Sequence, residues 1–437
     1  MEFGNNLGPN KLMLSEHIEK NILQDLFRTA IHSVTPRELI SKSLPEKPMS
    51  RTIIVGVGKA AASMAKEVEN VWGKCEGIVV TRYGHGLECR GIKVLEAAHP
   101  FTDENGLNAT DEIIALLSSL KENDFVLCLI SGGGSALLSK PRKGVSFIEK
   151  QKIFSHLFMS SASIKEINIV RKHLSEIKGG QLSKIAFPAK VLSLIISDVS
   201  GDDPSDIASG ITSGEMTTGL DAIKIINKYQ LDVSKETLRL LETNPQVLTP
   251  NDQYLSRTQN IVIGTAYKSL KASQIKAESL GFTVKYLGDS LQGEAKSLGV
   301  ELAELAKDIQ YKMRPDDKPI ILLSGGECTV NVSGSGEGGP NAEFALSAAV
   351  TLKGQSGISL LAGDTDGIDG LGNAAGAIVT PNTIKKAKRK NINPKTFLRN
   401  SDSHSFFKLI GDQVITGPTM TNVNDFRAFI IRYPKVI

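Results

Sequence analysis

Three consecutive glycines, Gly132, Gly133 and Gly134, stand between Ser131 and Ser135, directly after the apolar run 126–130. A strand that empties into such a loop exposes backbone N–H groups at its carboxyl end, where open α/β sheets take ligands, and two hydroxyls add further donors. Such a loop suits an anion; the competing reading is a turn that needs glycine only for its backbone angles. A second loop, Gly56-Val57-Gly58-Lys59-Ala60-Ala61, joins a strand to a helix N-terminus. Unsatisfied N–H groups and the helix dipole favour negative charge there, and Lys59 would add a cation for phosphate or carboxylate. The glycines could instead serve strand–helix packing, and Lys59 could be a solvated first-turn residue.

Acidic residues follow a third apolar strand: Asp198, Asp202 and Asp203 lie within 197–204. Paired carboxylates there suit a base for a hydroxyl proton plus a ligand for a hard cation such as Mg²⁺. An Asx turn with a helix cap is the alternative. Residues 364–370, with Asp364, Asp366 and Asp369, form a similar loop. It opens like a calcium loop, but no Glu follows at the required spacing. Arg171 and Lys178, seven apart on an expected helix, share a face and could meet an anion, or could be ordinary solvated charges. The hydroxyl- and amide-rich loop 416–425 reads as a substrate or nucleotide contact, or as turn chemistry alone. His99 and His173 are isolated, so no Ser-His-Asp arrangement can be built.

The elements that must hold these loops alternate. Strand patterns at 53–57, 77–80, 92–97, 125–130 and 191–196 are separated by helical periodicity at 59–72, 103–120, 147–160 and 166–183. That alternation predicts a doubly wound, mostly parallel sheet. The polar stretch 244–257 reads as a boundary. Beyond it the alternation restarts with strands at 261–263, 283–286 and 320–323, then shorter strands that suggest a mixed sheet. The expected division is a Rossmann-like domain over 1–245 and a smaller α/β domain over 258–437. In the second, 324–327 (Ser-Gly-Gly-Glu) reads as another glycine loop after a strand.

With 51 basic and 47 acidic residues in 437, the net charge of +4 argues for neither nucleic acid nor a membrane surface. The densest basic run, 385–390, sits in an expected helix and reads as a solvated face. The four cysteines have no metal-like spacing, and no apolar run approaches the roughly 18 residues that span a bilayer. A cytoplasmic protein is expected, with a homodimer as the base-rate assembly.

Together these segments resemble the class II glycerate 2-kinases, whose C-terminal part is the MOFRL domain. The resemblance rests on 56–61, His99 to Asp103, 131–138, 172–180, 197–210, 324–327, 364–370 and 416–425, in order along nearly the whole chain. It implies a Rossmann-like N-terminal domain, a smaller MOFRL-type domain and an active site in the cleft between them. The implied reaction uses ATP and Mg²⁺ to phosphorylate the 2-hydroxyl of D-glycerate, giving 2-phosphoglycerate and ADP. Lys59 would then neutralise the transferring phosphoryl group and Asp198 would orient or deprotonate the acceptor, with Asp202 and Asp366 at the metal. Gly58, Ser131, Gly132, Gly133, Gly134, Ser135, Arg171 and Lys172 would meet substrate or phosphate. Gly325, Gly326, Glu327, Asn341, Thr419 and Asn422 would meet the nucleotide. One departure stands out: where the family usually reads G-G-R-N-Q-E, this chain has Pro340 in place of the arginine, within 338–343. Two other readings remain: an NADP-linked hydroxypyruvate reductase, from the G-x-G-x-x-A pattern and Arg82 at the end of the next strand, and a non-catalytic nucleotide or anion sensor.

Overall fold

The structure is a computed structural model and describes residues 9–160, 162–370 and 372–434. The chain divides into two compact units, Pro36–Thr265 and Met1–Thr35 with Ala266–Ile437. In the first, six strands form one all-parallel sheet: β1 (Thr52–Val57), β2 (Glu76–Arg82), β3 (Ile92–Ala97), β4 (Phe125–Ile130), β5 (Lys190–Ile196) and β6 (Thr258–Gly264). Their order is β3-β2-β1-β4-β5-β6, the doubly wound arrangement expected from the alternation. Its strands are apolar along their whole length because helices cover both faces. Val55, Val57, Val126, Cys128, Ile130, Val191 and Ile195 are buried in one core with Ala109, Ile113 and Leu117 of the helix Glu104–Leu117.

The second unit carries a mixed sheet. Its strands are β7 (Thr283–Tyr286), β8 (Leu291–Glu294), β9 (Ile320–Thr329), β10 (Ile358–Asp364), β11 (Gly376–Val379), β12 (Gln413–Val414) and β13 (Asp425–Ile431). The order is β12-β11-β10-β13-β9-β7, with β8 also on β9; β7 and β8 run parallel to β9 and the other pairs are antiparallel.

The units differ from the division at 244–257 in two places. The strand after that polar stretch, β6, pairs with β5 and completes the first sheet. The long opening helix Pro9–Ser33 belongs to the second unit, because Leu23, Leu26, Phe27 and Ala30 recur on one face and bury against Leu361, Phe426 and Ala428. Each buried leucine or phenylalanine there contributes roughly 1.5–3 kcal/mol.

Two expected elements also change. The helix read over 166–183 breaks into Ile164–His173 and Gln181–Ala186, because Ser175 bridges Pro141 and Gly179 and Gly180 take left-handed angles, φ 60° and 84°. The glycine loop expected at 324–327 lies inside β9. Its glycines admit the neighbouring strand: a Cβ on Gly326 would stand 2.1 Å from the carbonyl oxygen of Leu291.

Candidate active site

In a sheet of this order the strand succession reverses between β1 and β4, and the loops leaving those two strands diverge around a crevice. The chain joins them closely. The Lys59 N–H donates to the Gly132 carbonyl at 2.8 Å, the Ala60 N–H to Ser131 Oγ at 3.0 Å, and the Ser131 N–H to the Val57 carbonyl at 3.0 Å. On its other side the Lys59 carbonyl accepts from Thr81 Oγ1 at 3.3 Å and faces His85 Nδ1 at 3.3 Å. Gly58 must be glycine: its φ is 127°, and a Cβ would lie 2.2 Å from Ser131 Oγ and 2.4 Å from the Ser131 carbonyl oxygen. The half-buried Lys59 is thus fixed at its backbone on the switch point.

The acidic loop after β5 reaches the same place. A Cβ on Gly132 would stand 1.9 Å from Asp198 Oδ2, so the missing side chain makes room for that carboxylate. Gly133, with φ 82°, lies under His99 and Lys59; a Cβ there would be 3.0 Å from His99 Cδ2 and 3.3 Å from Lys59 Cγ. Lys59, His99, Gly132, Gly133 and Asp198 therefore form one cluster. Just beyond it Ala208, Ser209 and Gly210 have φ of 50°, 57° and 62° in succession. Non-glycine residues resist this conformation by about 1–2 kcal/mol each. It is held by N–H donation from Gly179 to the Ser209 carbonyl (3.1 Å) and from Gly180 to the Gly210 carbonyl (2.7 Å). The turn sets Ser209 Oγ 2.7 Å from Ser135 Oγ, while Asn168 Oδ1 accepts from Ser209 Oγ at 3.3 Å and from Arg171 at 2.8 Å. Asp202 has φ 54° and a half-buried carboxylate with no hydrogen bond or ion pair among the described residues.

The expected cations separate. Lys172 is buried and ion-paired with Glu215, with Asp206 Oδ1 at 3.6 Å, so its charge is already answered within the protein. Arg171 and Lys178 do meet, although not on one helix: both line a cavity of about 330 Å³ with Lys150 and Ser135. The Arg171 guanidinium lies over the rings of Phe154 and Phe158, 5.3 and 5.6 Å from their centres, and burial pushes its pKa down to about 10.

In the second unit the loops 364–370 and 416–425 are zipped together. Thr365 Oγ1 donates to the Asn424 carbonyl (2.7 Å), the Val423 N–H to Thr365 Oγ1 (2.9 Å) and Thr419 Oγ1 to the Thr365 carbonyl (2.6 Å). Asn422 Oδ1 accepts from the Asn424 N–H at 3.1 Å, and Asp366 Oδ1 from the Ile368 N–H at 2.9 Å. Asn341 is fully buried. Its amide donates to Asp425 at 2.6 Å and to Asp369 at 3.3 Å, while the N–H groups of Asn341 and Ala342 donate to the Asp369 carboxylate at 2.9 and 2.8 Å. Asp369 thereby closes the N-terminus of the helix Pro340–Leu352. Pro340 occupies its first turn, where a missing N–H costs nothing. Gly325 and Gly326 are buried in β9, and Glu327 is exposed. A second cavity of about 360 Å³, lined by Leu287, Leu305, Ile309 and Met313, holds none of the expected residues.

Among the described residues no group of three or more His, Cys, Asp or Glu side chains converges as a metal site, and no helix is long and apolar enough to cross a membrane. Mg²⁺ in phosphoryl-transfer sites is usually held by one or two carboxylates together with substrate phosphates and water. The open carboxylate of Asp202 fits that sparse pattern. His99 reads in the sequence as an isolated histidine, and Ser209, Asn168 and Lys150 were not singled out from it. The Ser209-Gly210 pair hinted at a tight turn, whereas a lone lysine on an amphipathic helix gives no signal that it points inward.

The description "domain of unknown function (DUF4147)" matches residues 22–242, and "MOFRL family" matches residues 320–425. A protein of Agrobacterium vitis named putative hydroxypyruvate reductase is 44% identical over 94% of each chain. A D-glycerate 2-kinase of Thermotoga maritima is 41% identical over 93% of this chain and 97% of its own. The crystal structure of a glycerate kinase from Thermotoga maritima superposes with a TM-score of 0.87 at 41% identity, covering 95% of this chain and all of that one. With both domain matches in order, and relatives and a solved structure alike over nearly the whole length, the chain belongs to the MOFRL-type glycerate kinase family.

Proposed function

We propose that the chain is an ATP-dependent kinase that phosphorylates the 2-hydroxyl of D-glycerate, releasing 2-phosphoglycerate and ADP. The observation that carries this reading is the junction of Lys59, Gly132 and Asp198 at the switch point of the first sheet: a cation, a run of glycine amides and a carboxylate on one spot. Phosphoryl transfer asks little covalent chemistry of a protein and depends on positioning and charge stabilisation. Lys59 and the amides of the 132–134 loop stabilise the transferring group. Asp198 accepts the hydroxyl proton as the acceptor oxygen attacks phosphorus and the bond to the leaving ADP oxygen breaks. Bound Mg²⁺ would neutralise phosphate charge, with Asp202 or Asp366 as the carboxylate offered to it. Ser131 and Ser135 supply donors to the acceptor. Gly325, Gly326, Glu327, Thr419 and Asn422 remain the proposed nucleotide contacts, and Asn341 supports them by holding its helix in place.

The name hydroxypyruvate reductase on a relative motivates the rival reading. In a dinucleotide fingerprint the second glycine lets the backbone approach a pyrophosphate. Here the bare face of Gly58 is taken by Ser131. Purified protein should release ADP from ATP in a D-glycerate-dependent manner and should not oxidise NADPH with hydroxypyruvate; the reverse pair of results would replace the kinase by the reductase.

A further inference from the structure

Three basic side chains converge where no acid answers them. Lys150, on the helix Phe147–Met159, and Lys178, in the segment after His173, are 4% and 0% exposed. Both line the 330 Å³ cavity with Arg171. Lys150 Nζ donates to Ser139 Oγ at 3.1 Å and Lys178 Nζ to the Leu138 carbonyl at 2.5 Å. Among the described residues none of the three basic groups has a carboxylate within ion-pair distance, whereas neighbouring Lys172 has two. Buried charge is ordinarily paired, so the cavity is built for an anion from outside.

Its place and size say which. Ser135, the last residue of the glycine loop, forms part of the wall, as does Pro100, the residue after His99; the cavity therefore adjoins the loops that carry the Lys59–Asp198 cluster. A volume of about 330 Å³ is at the lower end for ligand pockets, enough for a three-carbon acid and too small to enclose ATP. We propose that this cavity is the subsite for the carboxylate of a short 2-hydroxy acid, held by Lys150, Arg171 and Lys178, and that it selects acids over neutral polyols. This rests on the kinase reading.

The charge state agrees. Burial, with Arg171 nearby, pushes Lys150 down to about 7; burial and the charges of Lys150 and Arg171 hold Lys178 well below the usual amine range. With both amines held below their usual range, Arg171 is the cavity's firmest positive charge, which suits a monoanion better than a polyphosphate. Binding a carboxylate favours protonated Lys150, so complex formation takes up a proton. The Phe154 and Phe158 rings that stack on Arg171 supply apolar wall for the carbon chain.

The test uses the full chain and Lys150→Met, with Lys178→Met as a second variant; both replace an unneutralised buried amine by an apolar side chain of similar length. By ADP release, Lys150→Met is expected to raise KM for D-glycerate at least tenfold with KM for ATP within twofold, and to cut the preference for D-glycerate over glycerol at least tenfold. Calorimetry without nucleotide, in buffers of different ionisation enthalpy, should show D-glycerate binding to wild type with proton uptake that Lys150→Met abolishes. Unchanged KM for D-glycerate in both variants, equal loss with every acceptor, or binding of inorganic phosphate but not D-glycerate would overturn the proposal. Absence of turnover in wild type would sink the kinase reading instead, and calorimetry would still decide the cavity: D-glycerate that binds with proton uptake upholds it, and D-glycerate that does not bind refutes it.

Discussion

The backbone N–H of Lys59 donates to the carbonyl of Gly132 at 2.8 Å, tying the loop after β1 to the loop after β4. The bond fixes where the lysine leaves the main chain while its side chain stays half-buried. Charge stabilisation by such a residue is preorganised, because the backbone need not move when the reaction begins.

Removing the side chain should therefore affect rate more than folding. Lys59→Ala is expected to unfold at the wild-type temperature within a few degrees and to lose roughly 10²–10³-fold in kcat, the scale of one lost transition-state donor. Near wild-type turnover in the folded variant would remove Lys59 from the mechanism.

Gly132→Ala tests the other half of the junction. A methyl group 1.9 Å from Asp198 Oδ2 must displace that carboxylate, and crowding of this kind costs about 1–3 kcal/mol. Turnover should fall well beyond the stability change, read by denaturant melts beside ADP release. Gly293→Ala, which meets nothing within 4 Å, is the control and should change stability by no more than about 0.5 kcal/mol.

Much of this junction was legible in the sequence because it depends on local chemistry. Glycine runs after apolar strands, a lysine inside one and carboxylates after another mark positions 58, 59, 132 and 198 without any long-range knowledge. The strand alternation likewise carried the doubly wound fold. What was illegible is set by tertiary packing. The inward turn of Lys150, the pairing of Lys172 with Glu215 and the return of β6 to the first sheet each depend on residues far away in the chain. Gly325 and Gly326 read in sequence as a loop after a strand, whereas they lie inside β9, because a glycine pair that admits a neighbouring strand looks the same in sequence as one that makes a turn.

Asn341 holds two buried carboxylates, Asp369 and Asp425, the second also paired with Arg427. Asn341→Ala should destabilise the protein by about 1–3 kcal/mol by leaving buried acceptors unmade. Thermal melts would show it; an unchanged melting temperature would mean those acceptors find other donors.

Glu69 gives a pH dependence of known sign. Burial pushes its carboxyl up, but N–H donation from Arg90, Cys75, Gly91 and Ile92 outweighs burial and holds it below the ordinary glutamate range. A depressed folded pKa stabilises above the unfolded value, near 4.3, and that contribution is lost as pH falls through the folded value. Wild type should exceed Glu69→Gln in stability at pH 7, and the gap should narrow below about pH 4. A gap independent of pH would assign the effect to packing.

The most direct test of the central claim is to incubate the protein with ATP, Mg²⁺ and D-glycerate, add enolase without phosphoglycerate mutase, and follow phosphoenolpyruvate by absorbance. The account predicts a rise that requires both ATP and D-glycerate and is lost in Asp198→Asn. ADP release with no phosphoenolpyruvate would contradict transfer to the 2-hydroxyl, and the absence of both would contradict the kinase itself.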